Sequence, residues 1–285
     1  NTIGSVENMN YINCKDACLP ADMRKAVEFW SANTVGHIET LLKLKGSSAA
    51  VMQPYFTKEL ENSLISFKKI NALYKSEDAF RLPAKPQVLF SENRRLINLL
   101  ERMKYEGFGG YPYLQQTIFH YIYEQRYINA IFGVQNEAHG LITVRFSPIG
   151  SYPFVCIYNQ MYFWSVIGAI HPSLMIGNDK FYRSASLHTR EYLTEITNRF
   201  NLICFKLSGL KKPPVKGELK PVFDEFCRLN LEFLRFLRLI KENGGGIYTA
   251  GLPTDMPQAF YKSLDHIIGE HTLVKELCEA MCERF

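Results

Sequence analysis

Two histidine–glutamate pairs have the spacing that chemistry at a helix face requires. His120 and Glu124, like His266 and Glu270, are four residues apart, so on a helix both groups of a pair project from one side. Two further histidines stand in a repeated phrase. Phe29-Trp30-Ser31 is followed by His37 and Phe163-Trp164-Ser165 by His171, each histidine seven residues after its tryptophan. Imidazole and carboxylate groups converging in the core of a helical bundle can hold iron, manganese or zinc. Glu232 lies between Leu229 and Phe236 on one helical line, so the periodicity points it inward, where a carboxylate without a cation is costly. The expected metal set is therefore His171, Glu232, His266 and Glu270, with His188 and Glu191 in reserve. His37, His120 and Glu124 form a possible second set. At the position matching Glu232 the first half has Arg95, which no metal can use. Arg95 paired with Glu124 would leave His37 and His120 as hydrogen-bonded core histidines, so metal is expected in the second half before the first.

These groups need helices to aim them. Apolar residues recur at three- and four-residue steps over about 22–45, with Val27, Trp30, Thr34, His37, Leu41 and Leu44 on one face. The same pattern predicts helices over about 52–75, with Leu73 on the buried side, and over 91–105 and 112–132. Helices resume near 157, where Pro172 should kink the chain just after its histidine. One long helix is expected from an Asn178-Asp179 cap to Phe205, another over 219–243, and a last from a cap at Thr254 or Asp255 to Phe285. Residues 133–155 contain the β-branched run Leu141–Phe146 and then Pro148, Gly150 and Pro153, the composition of a linker with a short hairpin.

The whole is read as all-α, an internal duplication of two antiparallel four-helix bundles in tandem. The expected divisions are a leader at 1–21, a first bundle at 22–133, a linker at 134–155 and a second bundle at 156–285. A chain of 285 residues suits two such units. The two tryptophans, the only ones in the chain, are offset by 134 residues, whereas His120 and His266 are offset by 146. The added residues fall mainly in the connection before the last helix, where a bundle tolerates growth.

Apolar content of 47% and charged content of 21% are those of a globular protein. The net charge of +5 is small and dispersed, which gives nucleic-acid binding little support. No apolar run reaches the roughly 20 residues that span a bilayer, and the first ten residues are polar, so a cytoplasmic protein without a membrane anchor is expected. No protein partner is specified. Seven cysteines, an odd number, do not make a fully paired disulfide framework. Cys14 and Cys18, and Cys278 and Cys282, have helical i, i+4 spacing, which suits either a four-thiolate site or clasp between the chain ends, or small buried apolar residues.

The first-helix phrase with its histidine, taken together with Asp265-His266-Ile267-Ile268-Gly269-Glu270 in the last helix, resembles the bacterial family called domain of unknown function 2935. The resemblance runs from about residue 22 to the end. It implies tandem ferritin-like four-helix bundles and a bound divalent metal, iron first, with manganese or zinc as alternatives. Gly36 and Ile170 stand where that family commonly has an acidic residue before the histidine. The family has no assigned reaction. Three functions remain open: redox or oxygen handling at a metal, metal binding or storage without turnover, and a structural or interaction role with a hydrogen-bonded polar core and no metal.

Overall fold

A computed structural model describes residues 23–44, 52–76, 87–107, 112–131, 153–211, 214–243, 258–283 and 285. Among them the chain forms nine α-helices and no strand. They are α1 (Met23–Leu44), α2 (Pro54–Lys75), α3 (Gln87–Arg102), α4 (Pro112–Ile131), α5 (Pro153–Gly177), α6 (Asp179–Ser184), α7 (Leu187–Gly209), α8 (Lys216–Asn243) and α9 (Gln258–Cys282). A π turn at Met103–Gly107 continues α3. The expected hairpin near 141–146, the caps at Thr254 or Asp255, and Cys14 and Cys18 lie outside the described residues.

Four helices form the centre. α1 packs on α4, α4 on α5, α5 on α9, and α9 back on α1. The ring is flanked by α2 and α3, which lie against α1 and α4, and by α7 and α8, which lie against α5 and α9. Composition accounts for the inner place of α5. Its 25 residues include no Asp, Glu, Lys or Arg, and a helix apolar on all sides is stable only when surrounded. Nevertheless no described helix is long and apolar enough to cross a membrane.

The buried side chains of both halves form one continuous cluster. Aromatic rings fill the seam between α1, α4 and α5: the Trp30 and Trp164 rings stack at 5.8 Å, and Tyr127 lies flat on Phe163 at 3.5 Å. Stacked arrangements of this kind add to the area that such large side chains bury. Gly168 sets the approach of α5 to α7. A Cβ there would fall 2.7 Å from the Phe200 ring, so the two helices can lie this close only with glycine at that point.

Several expected details change. The helix expected over 179–205 is two: α6 stops at Ser184, and Ser186 caps α7 by accepting from the Thr189 N–H at 3.1 Å. Side-chain capping of this kind satisfies a donor that has no partner within the helix, and it favours a new start over continuation. Pro172 lies inside α5 and does not end it, the helix running on to Gly177. α3 begins at Gln87, a turn earlier than expected, and Leu73 is 47% exposed, its place on the inner face of α2 taken by Ile70 and Tyr74. Cys278 is disulfide-bonded to Cys227, joining α8 to α9, so it is not half of a thiol pair with Cys282.

Candidate metal centre

Each helix of the central ring delivers part of one buried cluster. α1 supplies His37, α4 supplies His120 and Glu124, α5 supplies His171, and α9 supplies His266 and Glu270. The i, i+4 pairs are side by side on their helices as the spacing requires: His120 Nε2 is 2.5 Å from Glu124 Oε1, and His266 Nε2 is 3.0 Å from Glu270 Oε1. The second oxygen of each carboxylate faces a histidine of a neighbouring helix. Glu124 Oε2 is 3.4 Å from His37 Nε2, and Glu270 Oε2 is 3.0 Å from His171 Nε2.

The six residues fall into two overlapping groups, His37, Glu124, His266 and Glu270, and His120, Glu124, His171 and Glu270. Within each, one donor atom from every residue lies within 4.8 Å of the others. Both carboxylates belong to both groups, with one oxygen toward each. Two imidazole nitrogens and two carboxylate oxygens could hold a divalent metal in either group. The first group joins the halves most closely, since His37 Nε2 and His266 Nε2 are 2.7 Å apart.

The donors are buried. The His266 side chain is the most open, at 19%, whereas those of Glu124, His171 and Glu270 are at 1% or less. Burial pushes the His120 and His171 imidazoles down to about 4 and His37 well below its ordinary value. These rings are neutral at pH 7 and present lone pairs. Burial, and next the charge of Glu270, pushes the Glu124 carboxyl well up. Burial would also raise Glu270 and lower His266, but each is overcome by the other: the His266 cation holds Glu270 well below the carboxylate range, and Glu270 lifts His266. In the metal-free chain the cluster thus holds two added protons, one on His266 and one on Glu124. His266 donates to His37, and the Glu124 carboxyl donates to His120.

Some donors have no bond of their own. His171 Nε2 and both oxygens of Glu270 are buried without a hydrogen-bond partner, although Nε2 and Oε2 are only 3.0 Å apart. Both atoms present lone pairs, so neither can donate to the other. Two buried acceptors facing each other without a proton between them are expensive, and a cation between them removes the cost.

The orientation of His171 is set from behind. Asn230 Nδ2 donates to the His271 carbonyl at 3.0 Å, which turns Asn230 Oδ1 toward His271 Nδ1 at 2.6 Å. His271 therefore donates from Nδ1, and its Nε2 accepts from His171 Nδ1 at 3.0 Å. His171 is left with its Nε2 lone pair aimed into the cluster. Such outer hydrogen bonds fix the tautomer and direction of a ligating imidazole. On the other side Asn33 Nδ2 donates to Glu124 Oε2 at 2.9 Å. Sequence reasoning missed His271, Asn230 and Asn33. A signal existed for the first two, because His271 directly follows Glu270, and Asn230 matches Asn93 in the register that maps Lys241 onto Lys104.

The structure brings His171, His266 and Glu270 together with His37, His120 and Glu124, but not with Glu232. Glu232 is 37% exposed and accepts two bonds from Arg199, at 2.8 and 2.9 Å, with Tyr192 also donating at 3.3 Å. The expectation of an inward Glu232 is corrected: its helical line meets α7, where Arg199 takes the carboxylate. Arg95 is corrected too, for it bonds Glu59 at 2.7 Å and not Glu124. The contrast between Arg95 and Glu232 is a surface ion pair written in opposite order, Glu59–Arg95 across α2 and α3 and Arg199–Glu232 across α7 and α8. His188 and Glu191 are exposed on α7 and outside both groups.

No protein-family model matches the chain, and no curated protein or solved structure matches it either.

Proposed function

We propose that this chain binds two divalent metal ions, iron first with manganese or zinc as alternatives, and uses them in redox or oxygen-handling chemistry. The observation that carries the reading is the sharing of both carboxylates by two four-donor groups, one oxygen toward each. His37 and His266 would help hold one ion, His120 and His171 the other, and Glu124 and Glu270 would offer an oxygen to each. Metal ions in such a pair supply Lewis acidity and electron transfer. The chain's own part is to keep the imidazoles of His37, His120 and His171 neutral, to hold Glu270 ionised, and to keep both carboxylates away from bulk water. To act as ligands His266 and Glu124 would have to give up the protons they hold, which makes binding pH-dependent.

The test is elemental analysis of protein purified without chelators. About two ions per chain are expected. Glu270→Gln should remove most of the metal, whereas Glu232→Gln should leave it in place. Absence of stoichiometric metal from the unaltered chain would favour the second reading, a hydrogen-bonded polar core, which the close His120–Glu124 and His37–His266 contacts support. Oxygen uptake on adding ferrous iron then separates redox chemistry from storage.

We also infer that the chain is a tandem duplication of the ferritin-like kind suggested by its resemblance to domain of unknown function 2935. Three matched features support this. Asn93 donates to the Gln125 carbonyl at 3.1 Å as Asn230 does to that of His271; the reversed ion pairs occupy matching helices; and exchanging His37 with His171, His120 with His266 and Glu124 with Glu270 converts one donor group into the other.

A further inference from the structure

A cavity of about 420 Å³ reaches the cluster from one side, and its floor is made by His37, His120, His171 and His266. Neither carboxylate lines it. Its volume is in the range of small-molecule sites, and its walls are mainly apolar, with Tyr121, Leu174, Met175, Phe260, Leu264 and Ile267 among them. Gly36 keeps the wall beside His266 thin, the position of its absent Cβ being 3.6 Å from His266 Nδ1. The charges are at the mouth. Lys43 near the end of α1 and Lys262 in the first turns of α9 line the rim together with Glu39. The Glu39 carboxylate bonds Lys68 at 2.9 Å and also feels Lys43 and Lys262, so one anion faces three cations and the mouth stays positive. Loss of hydration and then the neighbouring Lys262 lower the Lys43 ammonium below its ordinary value, with Glu39 acting in the opposite sense. Two like charges held together over an apolar cavity are relieved by an anion between them.

We propose that this cavity binds a small monocarboxylate with an apolar body, its carboxylate between Lys43 and Lys262 and its hydrocarbon end directed toward the four histidines. The proposal deepens the metal-site reading by naming the class of molecule that reaches that site, but recognition by the lysine pair does not depend on metal. A cationic or strongly hydrophilic ligand does not suit the rim or the walls. The orientation places the apolar end, not the charged end, next to the metal positions.

The experiment is calorimetric titration of the full chain, as purified and after metal removal, with octanoate, octan-1-ol and octylammonium. Octanoate should bind both forms and at least about tenfold more tightly than either other compound. Lys43→Gln with Lys262→Gln should abolish that preference while leaving octanol binding and metal content unchanged. Equal binding of octanoate and octanol, an octanoate preference that survives the double substitution, or no binding of any of the three would overturn the proposal. Survival of the preference only in the metal-containing form would show that the carboxylate goes to the metal instead. Octanoate binding through the lysines in a protein that takes up no metal would sustain this proposal and defeat the metal-site reading, so the two fail separately.

Discussion

At the scale of the residue, what distinguishes the two donor groups is what stands behind the ligands. His171 is backed by His271 and Asn230, both buried, whereas His37 Nδ1 and His120 Nδ1 are buried with no partner. At the position matching His271 the first half has Gln125, which is engaged with Thr34 at 3.0 Å. His171 is therefore the most firmly oriented of the four imidazoles. Replacing His271 by Ala should weaken metal binding by about 10- to 100-fold, the usual effect of losing a partner that orients a ligand. Competition against a chromophoric chelator measures it, with helical content checked by circular dichroism. Unchanged affinity in a folded variant would show that the chain from Asn230 to His171 does not position the ligand.

At the scale of the element, close packing of α5 against α7 holds His171 at its depth, and Gly168 is the contact point. Gly168→Val should destabilise the protein by about 1–3 kcal/mol through overpacking against Phe200. Gly269 offers the contrast. A Cβ there meets nothing within 4 Å, so Gly269→Ala should stabilise α9 by about 0.5–1 kcal/mol through reduced freedom of the unfolded chain and better helix propensity. Urea midpoints of the two variants check both signs. A neutral Gly168→Val would mean that α5 and α7 are free to separate.

At the scale of the molecule, the ring of α1, α4, α5 and α9 ties the two halves to one core and one cluster. The metal-free chain should unfold in a single transition, not in two. Its stability should also fall as the pH is lowered from 7 toward 4. Burial depresses His37, His120, His171 and His271 in the folded state, so between their unfolded value near 6.5 and their folded values the unfolded chain binds more protons. Stability carried by such groups is present above the unfolded value and lost as pH falls through the folded one. The raised His266 and Glu124 act in the opposite sense, but they are two groups against four. Urea midpoints at several pH values, recorded by tryptophan fluorescence, test both statements. Two separated transitions, or a midpoint that rises toward pH 4, would contradict them.

Local pattern determined which segments are helical and which residues could offer metal-ligating atoms. The face of α1 through Val27, Trp30, Thr34, His37 and Leu41 is buried as its spacing required, because helical period and apolar burial are both properties of a short stretch. The histidine–glutamate pairs on α4 and α9 were legible for the same reason, since four residues of helix fix their proximity whatever surrounds them. What the chain alone did not decide is which helix faces which. Glu232 and His37 have equally plausible inward positions in their own helices, and only the packing of α8 on α7, and of α1 on α9, sends one to Arg199 and the other to His266. Ring order among helices depends on contacts between residues more than a hundred positions apart, such as the 229 that separate His37 from His266. Those contacts are chosen by the fit of whole surfaces. A cluster shared by the two halves, in place of one set within each, is therefore a product of the tertiary structure.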